Sequence, residues 1–296
     1  MTRRESEGQA VSRMSSLRAI LLLAALVTLA CGPARAADRW FTTSDGVRLH
    51  YIERGAGRTI VLIPGWTMPA WIFDAQIVDF ARQYHVVALD PRGQGDSDIA
   101  PTGYEQDRRG QDIAELIRHV SAQPVLLVGW SLGVLDSLAY IHDSGDGAIA
   151  GLVLVDNSVG EDPPPAPPRH PMHAGRHLPR ETMMRNFVRG MFRHPQSAAY
   201  LDHLTDVCLR TPEHAASELL DYPVPRTYWK EAVYSTRHPV LYIVTPRLAG
   251  QAENLRLHHP AAESVVFEGA GHALFVDDAP RFNALVRDFV HRRVWP

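Results

Sequence analysis

The sequence predicts an α/β fold: a mostly parallel sheet with helices on both faces and a small helical insertion. Three observations carry this. Short apolar, β-branched runs alternate with segments of helical spacing along most of the chain. The alternation breaks once, between about 161 and 237, and then resumes. One apolar run leads through Gly129-Trp130-Ser131-Leu132-Gly133 directly into a helical segment.

Trp40 to Thr43 and Val47 to Glu53 read as a hairpin around Ser44-Asp45-Gly46, a turn signal. Thr59 to Ile63 is short, apolar and β-branched, as a buried strand should be. Trp71 to Gln83 has helical spacing in Trp71, Ile72, Ala75, Val78 and Phe80. His85 to Leu89 is a second buried strand, and Tyr104 to His119 a helix with Ile113, Leu116 and Ile117 on one side. Pro124 to Val128 is a strand, Leu132 to Asp143 a helix, and Gly151 to Val155 a strand. Glu161 to Pro171 then holds six of the chain's 22 prolines. Proline lacks the N–H a ladder needs, so the chain leaves the sheet there. Residues 180 to 235 read as short helices punctuated by Pro195, Pro212, Pro223 and Pro225. The sheet rhythm returns at Pro239 to Thr245 and Ser264 to Phe267, and a helix from Ala279 to Val294 ends the chain. The domain reading is therefore one core, 37–160 with 238–296, interrupted by a helical insertion at 161–237.

The chain has 296 residues, 45% hydrophobic and 21% charged. That supplies a sizeable core and excludes a mainly disordered chain. A net charge of -3 gives no overall basic field, so nucleic acid is not an expected partner. No apolar run reaches the ~18 residues a bilayer span requires.

Residues 1 to 36 read as an export signal. Ala19 to Ala30 is a 12-residue apolar run broken only by Thr28, with Arg3, Arg4, Arg13 and Arg18 upstream. Ala34-Arg35-Ala36 is a small-residue cleavage pattern ahead of Ala37. The expected location is periplasmic or secreted; the alternative is an anchor left uncleaved. Cleavage would leave Cys208 as the single cysteine, with no partner for an intramolecular disulfide. Cys208 itself reads as a small buried residue.

The most informative stretch is Pro124 to Gly133. A serine on a sharp strand-to-helix turn is exposed to substrate, and glycines two residues to either side let neighbouring backbone approach. The helix N-terminus then directs free N–H groups at charge developing beside the serine.

With that stretch the chain resembles the α/β-hydrolase superfamily, in its serine-nucleophile branch, over about residues 39 to 294. Three further segments carry the resemblance. Leu62-Ile63-Pro64-Gly65-Trp66 is similar to the family's oxyanion turn, with Pro64 where His is usual. Asp90-Pro91-Arg92-Gly93-Gln94-Gly95-Asp96-Ser97 is similar to its D-x-R-G-x-G-x-S loop. Glu268-Gly269-Ala270-Gly271-His272 resembles its catalytic-histidine loop. The resemblance implies a helical cap in the insertion, Ser131 as nucleophile and His272 as base. Backbone N–H groups of Trp66 and Leu132 would form the oxyanion hole, and the side chains of Trp66 and Trp130 would line the substrate pocket. No cofactor and no metal is implied.

The triad acid is where the chain departs from the family. Members commonly carry it after the strand that here is Pro239 to Thr245, but Pro246 to Gln251 contains no carboxylate. Asp156, ending the strand Gly151 to Val155, is the leading candidate, since some branches place their acid there. Glu253 and the absence of any acid are the alternatives. An acid in this role should lie within ~3.2 Å of His272 Nδ1.

Other polar clusters have plainer readings. Asp90 and Asp96 flank Arg92 and read as a salt-linked loop. His170, His173 and His177 have a spacing that suggests metal, but Pro171 and Gly175 make the stretch a loop without an acid partner. Arg169, Arg176 and Arg180 read as a solvated face. The expected function is an exported serine hydrolase acting on a carboxylic ester, with a small-molecule acyl substrate as its partner. The alternatives are a cofactor-free haloperoxidase or perhydrolase on the same triad, and a non-catalytic binding protein of the same fold. The haloperoxidases usually carry Met where this chain has Leu132, and epoxide hydrolases and dehalogenases use Asp where it has Ser131. The sequence assigns no oligomeric state.

Overall fold

The structure, a computed structural model, describes residues 36–165 and 178–296. Residues 1–35 of the expected export signal, with Cys31, and the stretch with Arg169, His170, His173, Arg176 and His177 lie outside the described residues. Strands β1 (Ala37–Thr42) and β2 (Arg48–Gly55) form the expected hairpin, antiparallel about the Ser44-Asp45-Gly46 turn. The others are β3 (Thr59–Ile63), β4 (His85–Leu89), β5 (Val125–Trp130), β6 (Ile149–Val155), β7 (Val240–Val244) and β8 (Ala262–Val266). They make one sheet in the order β1-β2-β4-β3-β5-β6-β7-β8, antiparallel only where β2 meets β1 and β4. Every residue of β3, β5 and β7 is buried, which is why these strands read as unbroken apolar runs. β8 sits at the edge and is only half-buried.

A 3₁₀ turn at Ala70–Phe73 opens into α1 (Asp74–Phe80). Helices α2 (Gln106–Val120) and α3 (Leu132–Ser144) pack together. The insertion contains α4 (Arg180–Gly190), α5 (Ala198–Arg210), α6 (Glu213–Glu218) and α7 (Arg226–Ser235), and no strand among its described residues. Pro179, Pro212 and Pro225 stand immediately before α4, α6 and α7. Proline's fixed φ suits a helix entry, where its missing N–H is not needed. Then come α8 (Ala249–His258), the short α9 (Leu274–Asp277) and α10 (Ala279–Phe289). The last predicted helix thus stops early: Val290–Val294 is a π turn, closed by Trp295 N–H to Val290 O at 2.8 Å. That turn lays Trp295 beneath the Arg58 guanidinium, 5.5 Å from the ring centre. Among the described residues no helix is long and apolar enough to cross a membrane.

A buried carboxylate ties the insertion to α8 of the core. The fully buried Glu161 carboxylate accepts from Lys230 and Tyr234 of α7 and from Asn254 of α8. Cys208 of α5 is buried with its sulfur 3.9 Å from Met68 Sδ, and burial pushes its thiol up to about 12.

The Asp90–Ser97 loop differs from expectation. Arg92 is salt-linked, but not to its neighbours Asp90 and Asp96. Its guanidinium is fully buried and grips Asp112 of α2 by two bonds, at 2.6 and 2.8 Å, with Asp45 at 3.1 Å. A planar fork is best matched by a bidentate carboxylate, and α2 supplies one. Asp90 instead accepts from Ala70 N–H, Asp96 N–H and His50, while Asp96 pairs with Arg210 of α5.

Arg109 of α2 and Asp136 of α3 form a second buried pair at 2.8 Å. Burial pushes the Asp136 carboxyl up to about 6, and Arg109 pulls against that shift. Because the folded chain holds this proton to higher pH than the unfolded chain, the group's contribution to stability falls as pH rises through about 6. Arg109→Met removes the counter-charge. It should cost about 3–5 kcal/mol at pH 8 and much less at pH 5, where Asp136 is protonated. Urea unfolding at the two pH values checks this; equal losses would contradict it.

Candidate active site

Ser131 follows β5 and opens α3 with φ 54° and ψ −119°, the conformation of the first central residue of a II′ turn. Its N–H donates to Val155 O, and its carbonyl accepts from Val134 N–H and Asn157 Nδ2. The spacing of the motif has a steric cause. A Cβ on Gly133 would lie 2.3 Å from Ile63 O, because the first turn of α3 presses on the end of β3. A Cβ on Gly65 would lie 2.9 Å from Ser131 Cβ, so the turn after β3 lies against the serine.

His272 stands between β8 and α9 and meets both expected partners. Its Nε2 is 2.8 Å from Ser131 Oγ and its Nδ1 is 2.7 Å from Asp156 Oδ2. An ionised carboxylate only accepts, so Nδ1 carries the proton and Nε2 presents a lone pair to the serine hydroxyl. Asp156 lies just past β6 with φ 50°. Its other oxygen accepts from Thr245 N–H at 2.7 Å and Thr245 Oγ1–H at 2.8 Å. Burial raises the pKa of this carboxyl, but the bonds and charge from His272 and Thr245 outweigh it and hold the pKa below its ordinary value. Glu253, the alternative, is an exposed α8 residue paired with Arg256 at 2.7 Å.

Thr245 was not singled out from the sequence. It begins the loop after β7, where members of the family commonly carry the acid, and it contributes two donors to a carboxylate from the neighbouring strand. Asn157 was also missed: its side chain reaches Ser131 O while Tyr242 Oη holds its carbonyl at 2.7 Å. Only strand adjacency, which a single sequence does not give, brings these residues together.

Trp130 is not a pocket residue. Its side chain is fully buried against Phe275, and its indole N–H donates to His272 O at 2.9 Å. It belongs to the support of the histidine loop. The Trp66 indole donates to Ala216 O at 2.7 Å and packs edge-on against Phe187. It lines a cavity of about 220 Å³ with Met183, Met184, Ala216 and Leu220 of the insertion. Neither Ser131 nor His272 lines that cavity. Leu132 is the first helical residue of α3, which has no side-chain cap, so its N–H lacks an intrahelical partner.

One group among the described residues has metal-ligand character. Atoms of His50, Asp90 and Asp96 lie within 4.8 Å of one another. The Asp90 oxygens already accept from His50, Ala70 and Asp96, so protein donors account for that carboxylate.

Thr67, Ser131 and Asp156 are the only residues other than glycine with positive φ among those described. They follow β3, β5 and β6, and such conformations are disfavoured for residues with a Cβ. The Ser131→Gly chain should therefore be about 1 kcal/mol more stable than Ser131→Ala, since both lose the hydroxyl and only alanine keeps the strain. Paired urea melts test this; equal stability would place the strain elsewhere.

Comparison with known proteins agrees with this geometry. A profile of the alpha/beta hydrolase family matches residues 60–285. A non-heme haloperoxidase from Rhodococcus erythropolis is 33% identical over 115 residues, 38% of this chain and 42% of that protein. A soluble epoxide hydrolase from Corynebacterium sp. (strain C12) is 31% identical over 116 residues, 39% and 40% of the two chains. The chain thus matches about two fifths of the length of these relatives. A candidate aryl esterase from Burkholderia cenocepacia superposes with a TM-score of 0.76 at 25% identity, covering 86% of this chain and 98% of that one. The sheet order, the matched span and the site together establish that this chain belongs to the alpha/beta hydrolase family.

Proposed function

We propose that the chain is an exported serine hydrolase that cleaves carboxylic esters through an acyl-enzyme. The observation that carries this reading is the continuous hydrogen-bonded run from Asp156 through His272 to Ser131. Ser131 Oγ attacks the carbonyl carbon as its proton passes to His272 Nε2, and Asp156 stabilises the imidazolium. The developing oxyanion takes hydrogen bonds from the N–H groups of Trp66 and Leu132. Collapse expels the alcohol, which receives its proton from His272. Water, deprotonated by the same imidazole, then releases the acid and regenerates Ser131. Epoxide opening is a poor fit, because that chemistry calls for a carboxylate at position 131.

A second reading shares the first half-reaction. Similarity to a non-heme haloperoxidase supports it: hydrogen peroxide replaces water as acceptor of the acyl group, giving a peracid and free Ser131. Peracid formation from ester and peroxide, compared with hydrolysis in the same sample, ranks the two.

Ser131→Ala should abolish turnover of p-nitrophenyl esters and labelling by a fluorophosphonate, with circular dichroism unchanged. Asp156→Asn should lower kcat by about 10⁴-fold with KM within about twofold. Near-normal rates in either variant would overturn the mechanism.

Export is supported by the apolar run and Ala34-Arg35-Ala36. Protein recovered from the native host should begin at Ala37 by mass spectrometry, and an intact leader on the recovered chain would refute cleavage.

A further inference from the structure

The loop that carries His272 is built from Gly269, Ala270 and Gly271, which have almost no side chains to hold it. Its backbone is braced from outside. Trp130 fixes the carbonyl of His272. The N–H before it, on Gly271, donates to Asp277 Oδ2 at 2.7 Å, and the N–H after it, on Ala273, donates to Met191 O at 3.0 Å. Asp277 also reaches across to the insertion. It accepts from Arg193 N–H at 2.8 Å and His194 N–H at 3.1 Å, and the His194 ring nitrogen bonds to its backbone carbonyl at 3.0 Å. The approach is close enough that a Cβ on Gly271 would lie 2.5 Å from Met191 O.

Met191 to His194 is the segment that follows α4, with Met191 as the helix's C-cap residue. The body of the same helix touches the other half of the site. Met184 Sδ is 3.9 Å from Thr67 Oγ1, and Phe187 packs on Trp66. From Met184 to Met191 a helix advances about 10 Å. One helix therefore spans from the oxyanion turn to the histidine loop.

We propose that α4 is a strut that sets His272 and the oxyanion turn relative to each other, and that Asp277 is the positioning residue joining the strut to the histidine loop. The role assigned to the distance so fixed rests on the serine-hydrolase reading. Asp277 touches no reacting atom. It acts by holding Gly271, and through it the imidazole, in a place where an error of about 1 Å costs roughly 10²-fold in rate.

The experiment uses the full chain, with Asp277→Ala and Asp277→Asn. In Asp277→Ala, the segments 191–194 and 271–273 should both gain hydrogen exchange while the sheet stays protected. On the ester substrate, kcat should fall 10- to 100-fold with KM within about twofold. Asp277→Asn keeps one acceptor oxygen and should recover most of the protection and lose less than tenfold in kcat. It also supplies the measurement if the alanine variant does not fold. Unchanged exchange in 271–273, or a loss confined to KM, would overturn the proposal. Should the wild type turn over no ester while Asp277→Ala still releases both segments, the joint stands and the hydrolase reading falls.

Discussion

A carboxylate taken out of water must find donors for both of its oxygens, and the site is organised around that requirement at Asp156. One oxygen takes two bonds from Thr245, the other takes the proton-bearing nitrogen of His272. Those donors come from the loop after β7 and the loop after β8, so the carboxylate depends on β6, β7 and β8 lying side by side. His272 in turn has its tautomer set by this contact, and only that tautomer leaves a lone pair for Ser131.

The second requirement is backbone strain. Three turns past the ends of neighbouring strands hold residues with a Cβ at positive φ. Each costs free energy, and the close contacts around Gly65 and Gly133 show what keeps them there: β3, β5 and α3 are packed too tightly for the turns to relax. A strained serine projecting from a rigid edge is already organised before substrate arrives.

Much of this was legible in the sequence because it is local. Strand, sharp turn and helix are successive along Pro124 to Ser144, and His272 is announced by the small residues before it. Asp156 could be ranked first among acids because it ends a strand, but geometry was needed to set Glu253 aside. What escaped reading is non-local. Thr245 and Asn157 carry no motif, and their value lies in which strand is next door. Trp130 was misread because its position beside the serine says nothing of which way its ring turns; it faces the core and supports His272 from beneath. Arg92 is salt-linked, but outside the loop in which its pairing was expected: its partners Asp112 and Asp45 are 20 and 47 residues away.

Cys208 lends the insertion a built-in reporter. Its thiol is sealed beneath α5 and its pKa is raised to about 12, so almost no thiolate exists near neutral pH. Alkylation at this sulfur therefore has to wait for the insertion to open. The rate at which a reagent consumes it, followed under conditions where the sheet stays folded, reads out how often the helices over the site lift away from it.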